Sequence, residues 1–230
     1  MTIELTPAVQ DYLKAIHALG GAEQMVSPVD IAARLQVRAP SVTGMLKRLA
    51  EADWIQYEAR RGAQLTEQGI AAARRVIRRH RLVELFLTKV LGLDWSEVDA
   101  EADALEHAIS PRLEAALAKH LGEPLEDPHG HLIPSAQGDL RRRDLLPLNQ
   151  FSAGQAAVIR EAQDDNPARL RRWQTLGLIP GATVHILSYQ PLDDLFHLRV
   201  GEQTIHVGSE GLRGLRGEAA SSGEPAPSPG

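Results

Sequence analysis

The spacing of apolar residues changes once along this chain, and that change limits what it can fold into. In VQDYLKAIHAL, SVTGMLKRLAEA and AARRVIRRHRLVELFL they recur every three to four positions, the period of helices buried along one face. From Leu148 the period is two, in AAVIREAQ, ATVHILSY, DLFHLRV and QTIHVG, the period of strands. The expected order is a long helical part followed by a small β part.

Punctuation divides the helical part further. TPAVQDYLKAIHALG predicts a first helix stopped by Gly20-Gly21, and Ser27-Pro28 with Asp30 is a capping-box-like start for a short second one. A third helix in APSVTGMLKRLAEADWI has an apolar stripe of Val42, Met45, Leu46 and Leu49. WIQYEARRGAQLT then alternates like two short strands joined around Arg60-Arg61-Gly62. Three helices followed by a basic-tipped hairpin is the plan of a winged helix-turn-helix. From Thr66 the pattern predicts a helix of about seven turns ended by Gly92. Asp94 and Glu97 form a cap for the helix carrying DALEH, and Ser110-Pro111 opens another that ends near His120. A turn-rich linker, GEPLEDPHGHLIPSAQGDLRRRD, leads to the β part, read as a small barrel with one helical stretch at ARLRRWQTLGL. The tail EAASSGEPAPSPG is rich in Pro, Ser and Gly and is expected to be disordered.

Composition removes several kinds of chemistry. There is no cysteine, which excludes disulfides, thiolate catalysis and cysteine-based zinc sites and fits a reducing compartment. No apolar run approaches the ~18 residues of a membrane span, and the N-terminus lacks the basic and apolar regions of a signal peptide, so a cytoplasmic protein without a membrane partner is expected. The net charge of -5 conceals an asymmetry: residues 1–82 hold 12 Lys/Arg against 8 Asp/Glu, and the remainder 13 against 22. A basic N-terminal part suits a polyanion.

Double-stranded DNA is the polyanion that the helix pattern favours. A recognition helix needs short polar side chains near its N-terminus and cations farther along, an order supplied by Arg38, Pro40, Ser41 and Thr43 followed by Lys47 and Arg48. Arg60 and Arg61 at the hairpin tip suit a phosphate or minor-groove contact.

The run DALEH raises a second question. On a helix, Asp103, Glu106 and His107 share one face, which is compatible with a solvated surface, a metal site or an acid/base site. Other groups add to it: His80 and Glu84 are four apart in RHRLVE, Asp99 lies one turn before Asp103, and Asp11 is an isolated acid beside Tyr12-Leu13. Closely spaced carboxylates repel unless a shared proton or a cation offsets them. A set of oxygen donors with imidazole suits Mn(II), Fe(II) or Co(II), and carboxylate richness favours manganese. The D-x-x-E-H spacing differs by one residue from the H-x-x-E-H of inverted zincins, so a metallohydrolase fused to a nucleic-acid-binding module is the alternative. No phosphate loop, dinucleotide fingerprint or nucleophile elbow is present, and neither catalysis nor a small-molecule substrate is expected.

The winged helix-turn-helix, RRHRLVELFL, EADALEHAIS and DPHGHLIP, in this order, resemble the diphtheria-toxin-repressor and manganese-transport-regulator family, and LRRWQTLGLIPGATVHI resembles the SH3-like domain of ferrous-iron transport accessory proteins. The resemblance covers residues from about 5 to 215. It implies a mainly α protein with small β parts: a DNA-binding domain at 1–72, a helical metal-binding and dimerisation domain at 73–140, an SH3-like β-barrel at 148–216 and a tail at 217–230. It further implies a homodimeric repressor of metal-uptake genes that binds an inverted-repeat operator when loaded with Mn(II), with Fe(II) as the competing ion. The implied primary metal site is Asp11, Asp103, Glu106 and His107, with His80 close by. A second would draw on His80 and Glu84, joined by Asp99 or by Asp127 and His129, with Asp164 or Asp165 as a further acceptor. Lys14 stands where one manganese-type pattern has a Glu ligand, which argues against a two-ion cluster of that kind.

Overall fold

The first two helices begin where the sequence supplies a cap. The computed structural model describes residues 5–164 and 166–220, which form two compact units: residues up to 83 with 103–120 and 133–140, and 84–102 with 121–132 and 141 onward.

In the first unit, Thr6 caps α1 (Pro7–Ala18) and Ser27 caps α2 (Pro28–Leu35), each accepting a backbone amide of the first turn. Helix α3 (Ala39–Glu51) starts at Arg38 without a side-chain cap. Leu13, Ile16, Ile31, Val42, Leu46 and Leu49 are fully buried and make one core, as the 3.6-residue stripe requires. Strands β1 (Ile55–Glu58) and β2 (Gly62–Leu65) form the antiparallel hairpin. Gly62 has φ +115, and a Cβ there would lie 2.1 Å from the Val26 carbonyl, so the first position of β2, beside the hairpin turn, admits no other residue without movement. Helix α4 spans Glu67–Lys89, crossing the domain boundary expected at residue 72. Helix α5 is Val98–Glu106 and α6 is Pro111–His120, with Ser110 Oγ accepting from the Leu113 amide.

Several arginines of α4, counted in the basic balance of residues 1–82, are tied to the protein itself. Arg78 is buried, donates to Glu114 at 3.0 Å and to the Pro134 carbonyl at 2.7 Å, and Arg74 donates to the Gly138 carbonyl. Arg79 reaches the carbonyls of Glu106 and Ile109, where α5 has ended. Guanidinium groups are here tying carbonyls that no helix or strand would otherwise satisfy.

In the second unit six antiparallel strands follow the order β3-β8-β4-β5-β6-β7. They are β3 (Leu146–Pro147), β4 (Ala156–Ala162), β5 (Thr183–Gln190), β6 (Leu195–Val200), β7 (Gln203–Gly208) and β8 (Leu215–Ala219). Their inward residues, with Trp173 and Leu170 of α7 (Pro167–Thr175), form the second core. The expected barrel is an open sheet among the described residues, because β3 is only two residues long, ends in a proline without an N–H to donate, and pairs with β8 alone. Strand β8 also extends past the expected tail boundary at 217, since it pairs with β4 through Ala219. The rest of the tail, 221–230, lies outside the described residues.

Candidate metal centre

Helix α1 buries Tyr12, Leu13 and Ile16, which turns Gln10, Asp11 and Lys14 toward the end of α5. His107 is not on that helix as DALEH suggested. Helix α5 stops at Glu106, and His107 sits in the turn that leads to Ser110-Pro111.

Gln10 determines the state of this imidazole. Its Nε2 donates to the Leu5 carbonyl at 2.8 Å, so its Oε1 faces His107 Nδ1 at 3.0 Å and must accept from it. With the Nδ1 proton held by Gln10, Nε2 is the ring nitrogen left for a metal ion, and it lies 3.0 Å from Asp11 Oδ1. Burial, only partly opposed by the charge of His107, raises the Asp11 pKa. Glu106 Oε1 is 3.7 Å from the same Nε2 and has no hydrogen-bond partner, although the side chain is 1% exposed. The donors of Asp11, Glu106 and His107 lie within 4.8 Å of one another. An imidazole Nε2 facing a carboxylate, beside an orphaned buried oxygen, fits a cation held by two hard oxygens and one imidazole.

The other Glu106 oxygen is fully engaged. Oε2 accepts from Lys14 Nζ at 2.8 Å and lies 2.7 Å from His80 Nδ1. Lys14 Nζ also donates to Asp103 Oδ1 at 2.6 Å and sits 2.9 Å from His80 Nδ1. Burial works against the charged form of Asp103, but the hydrogen bond from His80 and the Lys14 charge hold its pKa well below the usual carboxylate range. Burial likewise opposes the Lys14 charge, and Glu106 and Asp103 outweigh it, raising its pKa. Asp103 therefore faces Lys14 and His80, whereas His107 faces Asp11.

Of the residues expected to complete a second site, Glu84, Asp127, His129 and Asp164 have other attachments. Buried Glu84 is 3.3 Å from His129 Nδ1, and His129 Nε2 donates to the Trp95 carbonyl at 2.9 Å. The His129 ring stacks on Trp95. Asp127 Oδ1 accepts the amides of His129 and His131, and its Oδ2 lies 3.2 Å from His131 Nδ1. Asp99 is exposed in the first turn of α5. Asp164 accepts from the Asn166 amide and pairs with Arg169 at the start of α7, and Asp165 lies outside the described residues. The sequence reading missed Gln10 and had Lys14 only as a departure from a Glu ligand. Their position on the Asp11 side of α1 was the available signal.

The expected DNA-reading residues lie on or next to α3 and at the hairpin. Arg38, Pro40, Ser41, Lys47 and Arg48 are exposed on or next to α3, and Thr43 is half-buried. At the hairpin tip Arg60 is exposed, while Arg61 pairs with Glu58 at 3.0 Å.

Comparison with known proteins follows the same division. Residues 4–63 match the N-terminal DNA-binding domain of iron-dependent repressors, and residues 66–135 match their metal-binding and dimerisation domain. The chain is 32% identical over 197 residues to the iron-dependent repressor IdeR of Mycobacterium tuberculosis, covering 80% of this chain and 85% of that protein. It belongs to the iron-dependent repressor family. Members of this family are metal-dependent, DNA-binding transcriptional repressors. Residues 146–214 match the FeoA domain. The HTH-type transcriptional regulator MntR of Shouchella clausii is 36% identical over 105 residues, 46% of this chain and 73% of that protein. A solved manganese-dependent transcriptional repressor in complex with manganese superposes with a TM-score of 0.85 at 31% identity, covering 92% of this chain and 99% of that one. Iron and manganese regulators are thus both represented among the relatives of this iron-dependent repressor family member.

Proposed function

We propose that this family member is a Mn(II)-responsive repressor of metal-uptake genes, acting in the cytoplasm as a homodimer on an inverted-repeat operator. The observation that carries the choice of ion is the donor set itself. Asp11, the unpartnered Glu106 oxygen and His107 offer two carboxylates and one imidazole without sulfur, a hard set that favours Mn(II) over thiolate-preferring ions. Fe(II) is the second reading, favoured by the identity to IdeR over most of the chain.

In this reading Asp11 belongs to the first helix of the DNA-reading domain, and Glu106 and His107 belong to the segment that ends α5. When bound, the ion supplies the positive charge that offsets the facing lone pairs. The residues do the rest: Gln10 holds His107 in the tautomer that presents Nε2, and Asp11 ties α1 to the α5 end. The tie limits the positions α1 can take, and with it α3, so that the two recognition helices of a dimer match successive major-groove half-sites. An operator affinity improved about 100-fold corresponds to ~2.7 kcal/mol of coupling, and operator DNA then tightens metal binding by the same factor. Asp127 and His129 hold a turn in this reading, and no catalysis is assigned, because Asp103 and His107 do not face one position as D-x-x-E-H chemistry would need.

Selection of genomic fragments with Mn(II), with anaerobic Fe(II) and with chelator tests this. The expected result is one inverted-repeat sequence recovered with Mn(II) and lost with chelator or in Asp11→Ala. Equal recovery in all three conditions would overturn metal control, and recovery with Fe(II) alone would establish the iron reading.

A further inference from the structure

Glu106 divides the polar cluster into two cation positions. On one side its Oε1 is buried and unpartnered next to Asp11 and His107. On the other, Oε2 joins Asp103 Oδ1 and His80 Nδ1 around a single point, and Lys14 Nζ occupies that point at 2.8, 2.6 and 2.9 Å. Two carboxylate oxygens and an imidazole nitrogen are themselves a divalent-ion donor set. A lysine ammonium puts its charge and N–H donors in a compact head that donates to both carboxylate oxygens, with the His80 ring at its side, and so takes the place of such an ion.

We propose that Lys14 is a built-in cation that fills the second position permanently, so that this cluster accepts one divalent ion where its donors would otherwise hold two. The inference rests on the metal-centre reading above for the first position and on the Lys14 contacts for the second. A divalent ion placed among Asp103, Glu106 and His80 would have to share the space of the Lys14 head and meet its charge at contact distance, which disfavours entry. Lys14 has a further effect: contacts from α1 to Asp103 and Glu106 are made without any metal. Part of the attachment of α1 to α5 is constitutive, and the ion adds only the Asp11 and His107 side. Such an arrangement sets both the number of ions sensed and the size of the change they cause.

The test counts Mn(II) bound per protomer by equilibrium dialysis and records its EPR spectrum, in the full chain and in Lys14→Glu. The expected result is an isolated-ion spectrum in the full chain, and in Lys14→Glu one additional ion with the spectrum of an exchange-coupled pair. Lys14→Gln, which keeps a hydrogen-bond donor without the charge, gains the same ion with weaker affinity and covers the case in which the Glu variant does not fold. A coupled pair in the unaltered chain, or no added ion in a folded variant, would overturn the proposal. If Asp11→Ala bound as much Mn(II) as the full chain while Lys14→Glu still gained an ion, the proposed first position would fall and the role of Lys14 would stand.

Discussion

Two clusters in this molecule are built from the same residue types and have different consequences. Around Asp127, the carboxylate, two imidazoles and Glu84 satisfy one another: the Asp127 oxygens take the two following amides and His131, and both ring nitrogens of His129 are engaged. Around Glu106 the polar groups are as close, yet one oxygen of a 1% exposed carboxylate has no partner. It is the only carboxylate oxygen in that condition among the described residues. Composition and spacing do not separate the Asp127 turn from the cation site proposed at Glu106, since both clusters bring three donors together. The completeness of the hydrogen bonding does.

The largest expected effect breaks this contrast at its centre. Glu106→Ala removes the acceptor shared by Lys14 and His80, leaves a half-buried ammonium undercompensated, and should lower metal-free stability by about 3 kcal/mol while abolishing Mn(II) uptake at the first position. Urea denaturation and dialysis measure the two; retained uptake would make Glu106 a purely structural acid. Asp127→Ala is expected to cost about 2 kcal/mol, from amides and an imidazole left without their acceptor, with Mn(II) uptake unchanged. Reduced uptake there would move the second cluster into the metal machinery.

The smallest effect is a difference in pH response. Glu84 and Asp127, acting against burial, raise the His129 pKa above 6.5, so this stabilisation is complete below pH 6.5 and is lost as pH rises through the raised value. The Asp103 pKa is lowered from 3.8, so its contribution is complete above pH 3.8 and disappears only as pH falls through the depressed value. Urea midpoints taken across pH for the full chain and His129→Asn should differ in slope on the alkaline side only. Parallel curves would show that the His129 proton does not matter to stability.

Much of the fold was legible because its signals are local. Ser27-Pro28, Ser110-Pro111, the hairpin at Arg60-Arg61-Gly62 and the period-two strands each depend on a few neighbouring residues, and each lies where local chemistry places it. Asp11, Glu106 and His107 were readable as candidates from residue type and order. Lys14 was readable as their neighbour through the family resemblance alone, since its carboxylate partners are 89 and 92 residues away. The partners of Arg74 and Arg78 in α4 were hidden for the same reason: periodicity marks an apolar face but does not show that a long cationic side chain ends on a distant carbonyl. Closure of a sheet is also a long-range property, and strand spacing is the same in a barrel and in an open sheet.

The amide of Gln10 ties the start of the chain to its imidazole chemistry. Its orientation is fixed by the carbonyl of Leu5, five residues earlier, and that orientation decides which nitrogen of His107 bears the proton. If Leu5 is displaced, the amide is free to turn over and offer its N–H instead, the proton moves to the other ring nitrogen, and the lone pair facing Asp11 is lost. A change of backbone at Leu5 therefore acts on an imidazole about a hundred positions away, and metal affinities measured on the full chain and on Leu5→Pro are expected to differ.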